Sequence, residues 1–182
     1  DVRECCKKVI DGVARDGGFA ESVAVPARSL VRMPDAVSFE AAAALTLAGS
    51  TAMHILTNRT QVRPGQWVLV IAGASGVGSV AIQIACHLGA RVIATGSTVP
   101  KRELALKMGA VHAVDATTES WPAEVRKLTQ KRGVDLVVEH VGGEILERSW
   151  QCLARGGAIV TCGATAGRAV RLDLWPFFVK QQ

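Results

Sequence analysis

The sequence predicts an α/β protein built on an open, doubly wound parallel sheet, with a short β segment ahead of it. Three observations carry this. From Trp67 onward, short apolar runs alternate with stretches of helical spacing. The stretch VLVIAGASGVG, Val68 to Gly78, reads as a strand, a glycine-rich turn and the start of a helix. Strands separated by helices pair in parallel through right-handed crossovers, and such sheets take ligands at the carboxyl ends of their strands, where the strand order reverses.

The elements follow in order. Residues 19–32, FAESVAVPARSLVR, carry β-like runs interrupted by Pro26, ahead of an MPD turn. Ser38 is a suitable N-cap for the alanine-rich stretch that follows, with Glu40 in its first turn; Gly49 is expected to break this stretch into two helices. Strands are then expected at 67–72, 91–95, 111–114, 134–140 and 157–162, and helices near 77–89, 100–108, 119–131 and 144–154. In the first of these helices Val77, Val80, Ala81, Ile84, Ala85 and Leu88 share one apolar face, and Gly89 ends it.

Composition narrows the function classes. The 182 residues are 49% apolar and 20% charged, a globular balance and not that of a disordered chain. The net charge of +5 comes from scattered pairs, Lys7 with Lys8, Lys101 with Arg102, Arg126 with Lys127 and Lys131 with Arg132, so local anion sites are expected and a nucleic-acid interface is not. Cys5, Cys6, Cys86, Cys152 and Cys162 contain no C-x-x-C pair and read as reduced thiols of a cytoplasmic protein. The uncharged run 66–90 is long enough for a membrane span, but it contains the whole glycine turn, and a strand followed by a helix explains it; no membrane partner is expected.

The glycine turn carries the chemistry. GASGVG puts Gly73, Ser75 and Gly78 on the three positions of a dinucleotide-binding turn, with Gly76 and Val77 between. The first glycine permits the tight turn, the middle position admits a pyrophosphate against the backbone, and the last lets helix pack on strand. Serine at the middle position is small and can itself bond a phosphate, beside helix N–H groups that favour an anion. In NAD sites an acid about 20 residues on holds the ribose hydroxyls, yet no Asp or Glu lies between Gly78 and Glu103. The second strand ends instead in ATGSTVPKR, where the hydroxyls of Ser97 and Thr98 and the cations Lys101 and Arg102 suit a 2′-phosphate without the residues choosing between the two cations, so NADP(H) is the expected cofactor.

Together with DGGFAESVAVPA, LTLAGSTAMHIL, GVDLVVEHVGG and LARGGAIVTCGATAG, the stretch from Arg63 to Thr95 resembles the medium-chain dehydrogenase/reductase superfamily, in its quinone-oxidoreductase and zinc-type alcohol-dehydrogenase branches. The resemblance implies a GroES-like catalytic barrel around a Rossmann domain, with 1–36 as a β remnant of the barrel and 37–182 as the Rossmann domain without its last strand. It implies that Ser50 and Thr51 face the nicotinamide, that the glycine turn holds the pyrophosphate, and that Ser97 with Lys101 holds the 2′-phosphate. His140, Val141, Gly142, Gly163 and Ala164, after the fourth and fifth strands, would line the rest of the cofactor. Zinc-dependent members place a ligand cysteine where this chain has Leu47, which cannot coordinate, so no metal is expected. Cys5 and Cys6 read as the remnant of a structural zinc lobe or as plain thiols. Glu139 and His140 stand at a strand end where catalytic groups occur, but packing beside the cofactor is the simpler role, as it is for His54. No catalytic residue is assigned.

The expected parent is an NADP(H)-dependent, zinc-independent oxidoreductase that passes hydride to a quinone or activated enone, a homodimer at full length. Its rivals are a zinc alcohol dehydrogenase, an enoyl reductase domain, and a nucleotide-binding module without activity of its own, which is the expectation for these 182 residues alone.

Overall fold

The computed structural model describes residues 16–181. The chain divides into two compact units, Asp1–Ser38 and Phe39–Gln182. In the described part of the first, Pro26 leads into a single 3-10 turn, Ala27–Ser29, and no strand forms. The β-like runs expected in 19–32 are thus corrected: extended residues become a strand only with a ladder partner, and Pro26 has no N–H to offer one. Cys5 and Cys6, with Lys7 and Lys8, lie outside the described residues.

The second unit begins with α1, Phe39–Met53, with Glu40 in its first turn. The break expected at Gly49 does not occur. One glycine disfavours a helix by only about 1 kcal/mol relative to alanine, and the alanines and leucines before this one favour the helix. The change comes later, as a wide π turn over His54–Arg59 that closes with the Thr60 N–H on the Ile55 carbonyl. Phe39–Arg59 is long and apolar enough to cross a membrane by length and composition, yet its Ala52, Ile55 and Leu56 are buried in a core shared with the next helix.

Five strands follow, β1 Trp67–Val70, β2 Arg91–Gly96, β3 His112–Asp115, β4 Val134–Glu139 and β5 Leu153–Thr161, all parallel in the order β3-β2-β1-β4-β5. The helices between them are α2 Gly76–His87, α3 Val99–Lys107, α4 Trp121–Leu128 and α5 Gly143–Ser149; α6, Leu174–Lys180, closes the unit. Both faces of the sheet are covered, which is why β1 is buried at every residue. Val68 and Val70 join Val92, Ala94, Leu136 and Val138 under α1, α2 and α3, while Trp67, Leu69 and Ile71 join Ile93, Val114 and Val137 beneath Trp121 and Val125 of α4. That alternation is the period-two signature of a strand, now seen in space.

Several elements differ from expectation. The helix expected over 144–154 ends at Ser149 and gives way to a 3-10 turn, Trp150–Cys152, before β5. Three further differences have local reasons. β5 starts at Leu153 and not at 157, because the ARGG stretch is a bulge inside the strand: the register against β4 shifts between Val134 and Leu136, and Gly156 takes φ 70°. α4 ends at Leu128 because Gln130 and Lys131 turn left-handed, at φ 53° and 66°. α6 was not anticipated; Asp173 starts it by accepting the Trp175 N–H at 3.0 Å.

Candidate functional site

The reversal of strand order falls between β1 and β4, and the glycine turn sits on the carboxyl end of β1. The turn is built by close approach. Ala72 takes the left-handed φ of 48°, its N–H held by Thr95 Oγ1 at 2.9 Å. A Cβ on Gly73 would stand 2.8 Å from Ala94 Cβ, and one on Gly78 would stand 2.4 Å from the Ala72 carbonyl oxygen. Gly73 and Gly78 are therefore required by the fold, in the two packing roles the sequence pattern gives them. Gly76 is different: the nearest atom to a Cβ there is Ala48 Cβ, at an ordinary 3.7 Å. The fold does not need that glycine.

Ser75 is the N-cap of α2, its Oγ accepting the Gly78 N–H at 3.1 Å. The same oxygen lies 2.9 Å from His140 Nε2, so the serine that looked like a departure from the glycine pattern links two turns of the site. Burial pushes the His140 imidazole below its ordinary pKa, against the opposing pull of Glu139.

Beside the turn lies a cavity of about 230 Å³, lined by Ser75, Ser97, Lys101 and Val141 among the expected residues. Its apolar wall, Ile71, Trp121 and Ile145, was not anticipated. Trp121 could have been found from its place at the start of the helix after β3, because every such helix begins at the ligand end of the sheet. No Asp or Glu lines the cavity. The two basic residues after β2 separate cleanly: Lys101 Nζ reaches Ser97 Oγ at 3.4 Å, whereas Arg102 is taken up by Asp115 at 2.9 Å and by the Gly96 carbonyl at 3.1 Å. Lys101 is the cation left to meet a ligand. Hydrogen bonds from Thr117 and the nearby Arg102 hold the Asp115 carboxyl below its usual range.

The turns after β4 and β5 meet through Glu139, which is fully buried. Its Oε1 accepts the N–H groups of Val141 and Gly142 at 2.7 and 2.8 Å, and its Oε2 accepts the Thr161 hydroxyl at 3.2 Å. Gly142 stands at φ 74°, with the Gly167 carbonyl 2.4 Å from where a Cβ would be. Ala166 N–H bonds the Val141 carbonyl at 2.7 Å, and a Cβ on Gly163 would come within 2.9 Å of the His140 carbonyl oxygen. The expected His140, Val141, Gly142, Gly163 and Ala164 are thus gathered in one place. The organising role of Glu139 was missed, since it depends on Thr161 and on loop N–H groups that no spacing reveals.

Ser50 and Thr51 lie on α1 and do not line the cavity; Ser50 Oγ donates to the Thr46 carbonyl at 2.5 Å. Leu47 is exposed on the same helix and offers no donor atom to a metal. Among the described residues no group of three metal-ligating side chains comes together. Cys86, Cys152 and Cys162 are free thiols, and burial pushes Cys152 up to about 12.

Residues 76–182 match the family model described as zinc-binding dehydrogenase. The chain is 38% identical over 166 residues to the highly reducing polyketide synthase curS1 of Aspergillus terreus, covering 89% of this chain and 7% of that protein. It is 35% identical over 155 residues to a 2-haloacrylate reductase of Burkholderia sp, covering 84% of this chain and 46% of that one. Among solved structures, an NAD-dependent alcohol dehydrogenase superposes with TM-score 0.90 at 42% identity, over 95% of this chain and 50% of that one. Escherichia coli quinone oxidoreductase complexed with NADPH superposes with TM-score 0.76 at 35% identity, over 82% and 46%. The chain therefore spans about half the length of the reductase and of these two structures, and a small part of the synthase.

Proposed function

This chain belongs to the zinc-binding dehydrogenase family, within the medium-chain dehydrogenase/reductase superfamily, and on that premise we propose that it is the NADP(H)-binding part of an oxidoreductase. The observation that carries the cofactor choice is Lys101 beside Ser97 at a cavity with no carboxylate in its wall, because a carboxylate there would repel a 2′-phosphate and a free ammonium would attract it. The α2 N-terminus, which opens at Gly76 behind Ser75, suits the pyrophosphate. The cofactor supplies the hydride; this chain's residues hold and orient it, which is where positioning contributes most.

For the whole protein we propose a quinone or activated enone as hydride acceptor, without zinc, in a cytoplasmic homodimer. A quinone oxidoreductase and a 2-haloacrylate reductase among the relatives support this acceptor class, and Leu47 supports a zinc-free site. In that protein, residues 1–36 would belong to the catalytic domain. Titration with NADPH and NADH tests the cofactor: NADPH binds about tenfold more tightly, and Lys101→Ala removes that gap while leaving NADH unchanged. Equal affinities in the unmodified protein would overturn the 2′-phosphate reading. Tighter NADH binding would instead favour the alcohol dehydrogenase reading, for which the close match to an NAD-dependent enzyme speaks. Metal analysis of the full-length protein separates the two further, because stoichiometric zinc needed for turnover contradicts a zinc-free site.

A further inference from the structure

We propose that His140 carries its proton on Nε2 and is thereby a positioning residue for Ser75, leaving the serine hydroxyl proton free to be donated to the pyrophosphate of the dinucleotide. The proposal rests on the nucleotide reading above. Ser75 Oγ has one proton and two lone pairs. One lone pair takes the Gly78 N–H at 3.1 Å, and the contact with His140 Nε2 at 2.9 Å uses either the other lone pair or the proton.

The far side of the ring decides between them. His140 Nδ1 is buried with no hydrogen-bond partner. If Ser75 donated to Nε2, the neutral ring would carry its proton on Nδ1, as an orphaned buried N–H. If Nε2 donates, only a lone pair is orphaned, and buried donors go unpaired less often than buried acceptors do. With Nε2–H donating, both lone pairs of Ser75 are filled from the protein side. Its proton is then the one group with no protein partner, on a side chain that lines the cavity. The backbone around the ring is held: Glu139 accepts the N–H groups of Val141 and Gly142, and Thr165 Oγ1 donates to the His140 carbonyl at 3.4 Å.

Nitrogen-15 shifts of the His140 ring test the tautomer on the protein without nucleotide. Nε2 is expected as the protonated nitrogen, and a proton on Nδ1 overturns the proposal. Binding tests the consequence. Ser75→Ala is expected to weaken NADPH about tenfold, the lower end of what a hydrogen bond to a charged group is worth, and to leave adenosine 2′-monophosphate, which lacks the pyrophosphate, within about twofold. His140→Ala weakens NADPH about threefold and His140→Gln, whose amide keeps an N–H within reach, restores it; the double alanine variant is no weaker than Ser75→Ala alone, since coupled residues are non-additive. Equal losses for both ligands, or additive losses in the double variant, show a packing role only and overturn it. An unmodified protein that binds no NADPH sinks the nucleotide reading instead, and the ring shifts still decide the tautomer.

Discussion

The two halves of the site are made rigid in opposite ways. The turn after β1 is built from what its residues lack: Gly73 and Gly78 let backbone and side chains approach to distances no Cβ would allow. The turns after β4 and β5 are built around something added, the buried Glu139 carboxylate, which holds two N–H groups of one turn and the Thr161 hydroxyl at the edge of the other. The glycines of the first device fall within one short stretch and leave a readable pattern, although Gly73 packs against Ala94 of β2. The second joins residues 22 positions apart and leaves none.

The largest effect should come from the added charge. Glu139→Ala removes the acceptor and strands two N–H groups with little water to replace it, at roughly 1–3 kcal/mol each, so we expect about 3 kcal/mol of lost stability and a Tm lower by roughly 10 °C. Thermal unfolding checks this. A loss no greater than that of a surface substitution would mean that β4 and β5 hold their turns without the carboxylate.

Gly78→Ala comes next. Its Cβ would lie 2.4 Å from the backbone oxygen of Ala72, so helix and strand must move apart. Overpacking of this kind costs about 2 kcal/mol, read as a lower urea midpoint with an unchanged slope. An unaltered midpoint would show that the strand-to-helix approach is softer than the contact distances require.

The contrast between the two devices also explains what the sequence made legible. β1, the glycine turn and the α2 face were readable because period two, period 3.6 and a steric pattern all sit within one short stretch. A hydroxyl and cations after β2, with no acid among them, were readable because they stand together in one short run. Arg102 could not be told from Lys101 beforehand, since its capture by Asp115 requires β2 and β3 to lie side by side. The bulge at Gly156 is not legible in the sequence, because a double glycine looks alike in a bulge and in a loop. The turn at 54–59 escaped because a π turn depends on where the helix must stop packing, and Gly49 offered a misleading local signal.

Gly76→Ala isolates the part of the first turn that serves the ligand. The nearest protein atom to the new methyl is at van der Waals distance, and alanine is the better helix former, so stability should hold or rise by up to about 0.5 kcal/mol. NADPH affinity should fall about fivefold, near 1 kcal/mol, because the methyl occupies the approach to the helix N-terminus. Calorimetric titration beside a melting curve measures both. A variant that loses stability and keeps affinity would reverse the division of labour among Gly73, Gly76 and Gly78.

The smallest effect lies where the two halves touch, at the bond between Ser75 and His140. Burial lowers the His140 pKa from its usual 6.5, more than Glu139 raises it, so the native ring resists protonation. Below pH 6.5 the unfolded chain therefore binds a proton that the native protein does not. Stability from this group is complete above that pH and is lost as pH falls through the window toward the lowered native value, the direction expected of any group whose pKa folding depresses. Between about pH 7.5 and pH 5.5 the unmodified protein should lose on the order of 2 °C in Tm that His140→Gln does not lose, well above the range in which ordinary carboxylates titrate. An opposite slope, with stability gained on acidification, would mean that the Glu139 carboxylate outweighs burial at this ring, and that the bridge between the two turns is ionic in character and not a neutral hydrogen bond.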